Sequence, residues 1–285
     1  MTVRGRRLSR IQSVAVAVAV FLIAFTAPIA LAWNQARAYE DPAVIVLGSG
    51  NDLSILITDG PARLLLATGD DPGGFGNALG KLRPVGRDRI DVLLLAGSTG
   101  DVTFLSRARR TAHARHVEAI GKPELAGVLG LPAEALLPTP RQFRLSAETS
   151  VTVETVELPD AEEGPSFAWR ATIDHGATRI VVLSDGRVAG EFPRAGSTSA
   201  LIVGGKDALD ALDRVDTRLF IASAPAVSGK DVRRVVAAGA RQRSYALRVF
   251  PGEAVRLAFV DGGLRLPSSA MQIDAVPSAS PGSGP

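Results

Sequence analysis

Two aspartates and three histidines are the side chains whose positions invite chemistry. Asp101 and Asp185 each follow a short apolar run, Ile90-Asp91-Val92-Leu93-Leu94-Leu95 and Ile180-Val181-Val182-Leu183. Loops after such runs are where α/β sheets gather ligands and reacting groups. A carboxylate there can hold a metal or move a proton. Each aspartate also has a plainer role. Asp101 precedes a helical pattern, where Asp is a favoured N-cap, and the cap is the preferred reading. Asp185-Gly186 is equally an ordinary turn, so both readings stay open for its placement. His113 and His116 lie three apart and would share a helix face. They close an arginine-rich stretch, where cations suit the helix dipole, so a solvated helix end is preferred to a zinc site. His175 falls in a hairpin turn and is expected to be exposed.

Other chemistries fail on residue type. The chain has no cysteine, which excludes disulfides, thiolate metal sites and cysteine nucleophiles. Gly73-Gly74-Phe75-Gly76-Asn77-Ala78-Leu79-Gly80-Lys81 resembles a phosphate loop only in composition. Phe75 and Leu82 stand where that motif needs glycine and a hydroxyl residue. No G-x-S-x-G elbow or S-x-x-K motif supplies a serine nucleophile. The arginines at 107–115 and 233–248 could touch phosphates. Few aromatics interleave with them for base stacking, so solvated faces are the default. No catalytic residue and no cofactor is assigned.

The elements around these residues read as strands and helices in two series. Residues 43–48, 53–58 and 62–68 read as strands, followed by a glycine-rich loop at 70–76 and a short helix at 77–82. The strand at 90–95 comes next, then a helix at 103–114, a strand at 117–120 and short helices within 123–137. A second series has strands at 142–145, 150–158, 167–174, 178–184 and 200–203. A helix at 206–215, a strand at 219–223 and a helix at 228–238 follow. Strands at 245–250 and 255–260 finish this series. Doubled runs of strands and helices predict two sheets packed face to face with helices outside, an α/β fold of four αββα layers. Residues 267–285 are rich in Ser, Pro, Gly and Ala and are expected to be disordered.

The front of the chain is of another kind. Residues 11–33 carry no charge, and these 23 residues are long enough to cross a bilayer. Arg4, Arg6, Arg7 and Arg10 precede them, so the positive-inside rule puts residues 1–10 in the cytoplasm and the body outside. A cleaved signal peptide is the rival reading, because 30–32 and 36–38 have small-x-small form. The apolar run is long for a cleaved signal, so a single transmembrane anchor is preferred. Five of the 32 basic residues lie within 1–38, with no acid. That leaves 27 basic against 29 acidic residues in the remainder. The body is near neutral, and the basic excess is a targeting feature.

The order of motifs in residues 41–266 resembles the metallo-β-lactamase-like domain of the ComEC type, from DNA-uptake channels. The carriers are Val44-Ile45-Val46-Leu47-Gly48-Ser49-Gly50, Arg63-Leu64-Leu65-Leu66-Ala67-Thr68-Gly69, Ile90–Leu95, and Ile180-Val181-Val182-Leu183-Ser184-Asp185-Gly186. The resemblance implies a four-layer sandwich with metals at the loop after the 90–95 strand. The metal ligands of that family are missing here. Gly97, Thr99, Asp101 and Val102 stand where the family's H-x-D-x-D-H motif supplies them, and only Asp101 can ligate. Ala67 replaces the carboxylate of the family's DtG strand. No histidine lies within 200–207, where the family has an HHGs segment. These positions, with Asp185, are vestigial ligand positions, and no bound metal is expected.

Two functions follow as expectations. The first is a membrane-anchored, catalytically silent domain that binds an envelope protein partner. A link to DNA uptake, and any nucleic-acid partner, enter only through the family analogy. The second is a hydrolase with an unconventional metal site, built on Asp101, Asp185 and a further residue that the sequence does not single out.

Overall fold

The computed structural model describes residues 41–82, 90–97, 101–122, 124–137, 139–158, 166–190, 198–205, 207–225, 245–261, 263–266 and 272–274, with residues 227 and 231. The expected span at 11–33 lies outside them, as do the expected helix at 228–238, apart from residue 231, and most of the tail. Among the described residues no helix is long and apolar enough to cross a membrane.

The chain forms a mixed α/β structure with two sheets. The first half supplies β1 (Ala43–Gly48), β2 (Leu53–Asp59), β3 (Ala62–Ala67), α1 (Pro72–Lys81), β4 (Ile90–Ala96), α2 (Val102–Ala112), β5 (Ala114–Ile120) and α3 (Glu124–Val128). The second half supplies β6 (Arg141–Arg144), β7 (Thr149–Leu158), β8 (Ser166–His175), β9 (Thr178–Leu183), β10 (Thr198–Val203), α4 (Ala208–Arg214), β11 (Thr217–Ser223) and β12 (Tyr245–Val249). The last strands are β13 (Ala254–Val260), β14 (Gly263–Arg265) and β15 (Gln272–Asp274). Eight strands order as β15-β14-β13-β1-β2-β3-β4-β5, and seven as β12-β11-β10-β9-β8-β7-β6.

Continuous apolar strands arise because both faces of each sheet are covered. In β1, Val44 and Val46 join the core between the sheets, while Ile45 and Leu47 pack outward under helices. Phe75 of α1, Phe104 of α2 and Leu125 of α3 belong to that outer layer. The second sheet repeats the pattern. Ile180, Val182, Ile202 and Ile221 face inward. Val181, Leu201 and Phe220 face outward against Ala208, Ala211 and Leu212 of α4. Two sheets therefore share one core, and each has a few helices packed on its other face.

Several expectations are corrected. Strand β13 does not finish the second sheet. It crosses back to pair antiparallel with β1, with Ala43 opposite Ala258. The folded body also runs past residue 266, because β15 pairs with β14 inside the expected tail. The glycine-rich loop is largely helix, since α1 starts at Pro72. Asp71 Oδ1 accepts from the amides of Gly73 and Gly74 at 3.0 and 2.9 Å, capping the first turn. Phe75 then packs edge-on to Phe104, ring centroids 5.4 Å apart. That burial and cap outweigh the entropic cost of the glycines.

His113 and His116 do not share a helix face. His113 takes φ +49 and ends α2, and His116 lies in β5. His175 is not exposed: its side chain is 16% accessible. Its ring stacks on Phe259 at 4.3 Å, joining the two sheets.

Candidate functional site

Strands β1, β3, β4, β5 and β9 to β12 run in one direction, so their C-terminal ends meet on one edge of the sandwich. The loops there carry Asp52, Asp70, Asp101 and Asp185, two of which the sequence did not single out.

The β1–β2 loop is held by both sheets. Asn51 O accepts from Gly205 N at 3.0 Å and from Ser223 Oγ. Asn51 N donates to Asp70 Oδ1 at 2.9 Å, and its side-chain amide donates to Asp70 Oδ2. This two-point clamp commits the Asp70 carboxylate to Asn51. Gly50 makes the approach possible. It has φ +100, and a Cβ there would lie 1.8 Å from Asp70 Oδ1.

Asp52 follows in the same loop. Thr68 Oγ1 donates to its Oδ2 over 3.4 Å, a long bond. Gly204 and Gly205 close over Oδ1, where Cβ atoms would stand 3.1 and 3.2 Å away. Burial is the main reason that its carboxyl is raised from 3.8 to about 7. The negative charges of Asp101 and Asp70 push the same way, the Thr68 hydrogen bond opposes them, and the Asp185 charge adds the smallest push upward. Asp52 thus exchanges its proton near neutral pH.

Gly97 is buried at the end of β4, and Asp101 lies over it. Asp101 precedes α2 as expected, but its side chain makes no capping bond to that helix. Its charge instead faces Asp52. Val102 is the half-buried first residue of α2, packed toward the helix-covered layer. Thr99 lies outside the described residues. Ala67, in the position of the absent carboxylate, is fully buried under the helices.

Asp185 is a turn residue with a partner. Arg187 grips it through Nε and Nη2, the latter 2.8 Å from Oδ2, and the Arg187 amide donates to Oδ1 at 2.8 Å. Arg187 Nε also lies 3.7 Å from Asp207 Oδ2. Such forked pairs are among the stronger ionic contacts.

The four aspartates share one edge but do not converge as ligands. Among the described residues no three His, Asp or Glu side chains are placed to hold a metal ion. His175 lies at the opposite edge, at the end of β8. Asp52 could have been suspected from the sequence. A charged residue directly before the apolar run 53–57 must either face solvent or be buried by another loop. The other loop is Gly204-Gly205, some 150 positions on, and no local pattern points to it.

No family model matches this chain, and no curated protein matches it. Among solved structures it is similar to the CmlA beta-hydroxylase E377D mutant, with 13% identity and a TM-score of 0.48 over 76% of this chain and 54% of that one. It thus spans about half of that chain's length. It is also similar to the isothiocyanate hydrolase from Delia radicum gut bacteria, with 12% identity and a TM-score of 0.46 over 75% of this chain and 98% of that one.

Proposed function

We propose that this chain is a metallo-β-lactamase-like domain of the ComEC type that acts by binding and not by hydrolysis. Residues 11–33 anchor it in the membrane with the body outside. An envelope protein is its partner, and a tie to DNA uptake follows from the motif resemblance alone. What supports the fold assignment is the pair of helix-flanked sheets together with the motif order. What supports the silent reading is how the carboxylates at the loop edge are used. Asp70 serves Asn51, Asp185 serves Arg187, and the half-buried Asp52 holds its proton to near neutrality. A hydrolytic zinc site needs three protein ligands and an open position for water. Gly97 offers none, and Asp101 offers one.

The second reading is a hydrolase using Asp101, Asp185 and Asp52. One observation favours it: Asp52 is a half-buried acid close to the Asp101 charge that titrates near 7, as a general base should. Elemental analysis separates the two readings, combined with phosphodiester and lactam hydrolysis assays on wild type and Asp101→Ala. The binding reading expects neither stoichiometric metal nor turnover. One metal per chain, with cleavage lost in Asp101→Ala, would establish the hydrolase.

A further inference from the structure

We infer that the strand-start edge of the sandwich faces the lipid headgroups, so that the acidic loop edge points away from the bilayer. This rests on the anchor reading above and extends it to an orientation. The chain enters the fold at Asp41 and Pro42. Pro42 O accepts from Phe259 N at 2.9 Å, and Asp41 O accepts from Arg256 Nη2 at 3.2 Å. β1 begins at the next residue, Ala43. The point where the chain enters therefore lies where β1, β3, β4 and β5 start, at the edge opposite Asp52.

Two distances decide the geometry. Residues 34–41 can reach at most roughly 30 Å from the end of the apolar span, even fully extended. Strands of six or seven residues hold the two edges about 20 Å apart. A body lying loop-edge down would need about two-thirds of that reach, which stretches the tether and costs chain entropy. The upright body needs little of it.

Charge reinforces the tether. Asp70, Asp71, Asp101, Asp185 and Asp207 gather at the loop edge, where Arg187 pairs with Asp185 and Asp207 and where Lys81 and Arg248 also lie, so acids outnumber bases there. The strand-start edge mixes both signs. Arg115 faces Asp91 at 3.6 Å and Arg179 faces Asp174 at 2.7 Å, and these arginines stay half exposed. An anionic headgroup surface repels the acidic edge within a Debye length and tolerates the mixed one.

The absence of native cysteine makes the test clean. Ala147→Cys, at the exposed β6–β7 turn, labels the strand-start edge. Glu253→Cys, exposed just before β13, labels the loop edge. The full chain is placed in nanodiscs of phosphatidylcholine with phosphatidylglycerol, and energy transfer is read from each label to a headgroup dye. Transfer from position 147 is expected to exceed that from 253 at least twofold. Equal or reversed transfer in a lipid-bound chain overturns the orientation alone. Recovery of the chain free of lipid overturns the anchor itself, and the orientation with it.

Discussion

Asp101 occupies the space that a side chain at Gly97 would need: a Cβ built on Gly97 would stand 2.9 Å from Asp101 Oδ2. The glycine at the end of β4 and the carboxylate before α2 are thus one arrangement. Together they place a negative charge near the half-buried Asp52 in place of a ligand cluster. Burial and like charge both penalise ionisation of Asp52, and that penalty is measurable as stability.

The first prediction is a stability that falls as pH rises. The folded value for Asp52, about 7, lies above the ordinary 3.8 expected for the unfolded chain. Below about 4 both states keep the proton and nothing is lost. Between about 4 and 7 only the unfolded chain releases it, so folding weakens with pH. Above 7 the loss is complete. At 1.36 kcal/mol per unit, it is at most about 4 kcal/mol. Asp52→Asn should flatten this slope and be more stable than wild type at pH 8. Urea unfolding of both proteins at pH 5 and pH 8 checks it. An unchanged difference between the two pH values would rule the buried acid out.

A pair of glycines should respond in opposite directions. A Cβ on Gly186 would lie 1.7 Å from the backbone oxygen of Asp207, so the turn holding Asp185 must move. Gly186→Ala should cost about 1–3 kcal/mol, as overpacking does. Gly76 lies inside α1 with nothing within 4 Å of its Cβ position. Gly76→Ala should therefore add roughly 0.5–1 kcal/mol through helix propensity. Thermal melts of the two variants test both signs.

What the sequence made legible follows one physical divide. Runs such as Leu53–Ile57 and Ile90–Leu95 announce buried strands because burial on both faces leaves its mark on nearly every residue of the run. The start of α1 was hidden because its first turn is Pro72-Gly73-Gly74, a poor helix former by propensity. Capping by Asp71 and burial of Phe75 decide it. The crossing of β13 to β1 was hidden because a strand does not encode which sheet it joins. Asp101 and Asp185 were legible by position, but their partners were not. The Gly97 packing and the Arg187 fork depend on where the backbone turns.

The strand-start edge carries a hydrogen-bonded clasp between the sheets. Asp59 of β2 accepts from Thr149 Oγ1 and from Ser146 Oγ. With its proton given to Asp59, Thr149 accepts from His175 Nδ1 at 2.7 Å. Thr149→Val keeps the shape and removes both bonds of a residue that is 1% exposed. It should cost about 1–3 kcal/mol. Asp59→Asn in the same background should then cost less than in wild type, a coupling that a double-mutant cycle of denaturant midpoints would detect. Strict additivity would mean that the clasp contributes nothing.

The last prediction separates the causes acting on Asp52. Burial is the largest, and Asp101 is the largest of the charges. Asp101→Asn removes one negative charge and keeps the side-chain shape over Gly97. The Asp52 carboxyl should then titrate below about 7, but still above 3.8, because the loops that bury it remain. Asp70→Asn should move it less, since the Asp70 charge ranks after that of Asp101. Carbon-detected NMR titration of the aspartate carboxyls reads each value directly. A matching drop in the stability slope between pH 5 and pH 8 must accompany the shift, because both report the same proton. A carboxyl unmoved by Asp101→Asn would place the two side chains too far apart for the arrangement at Gly97 to set the behaviour of Asp52.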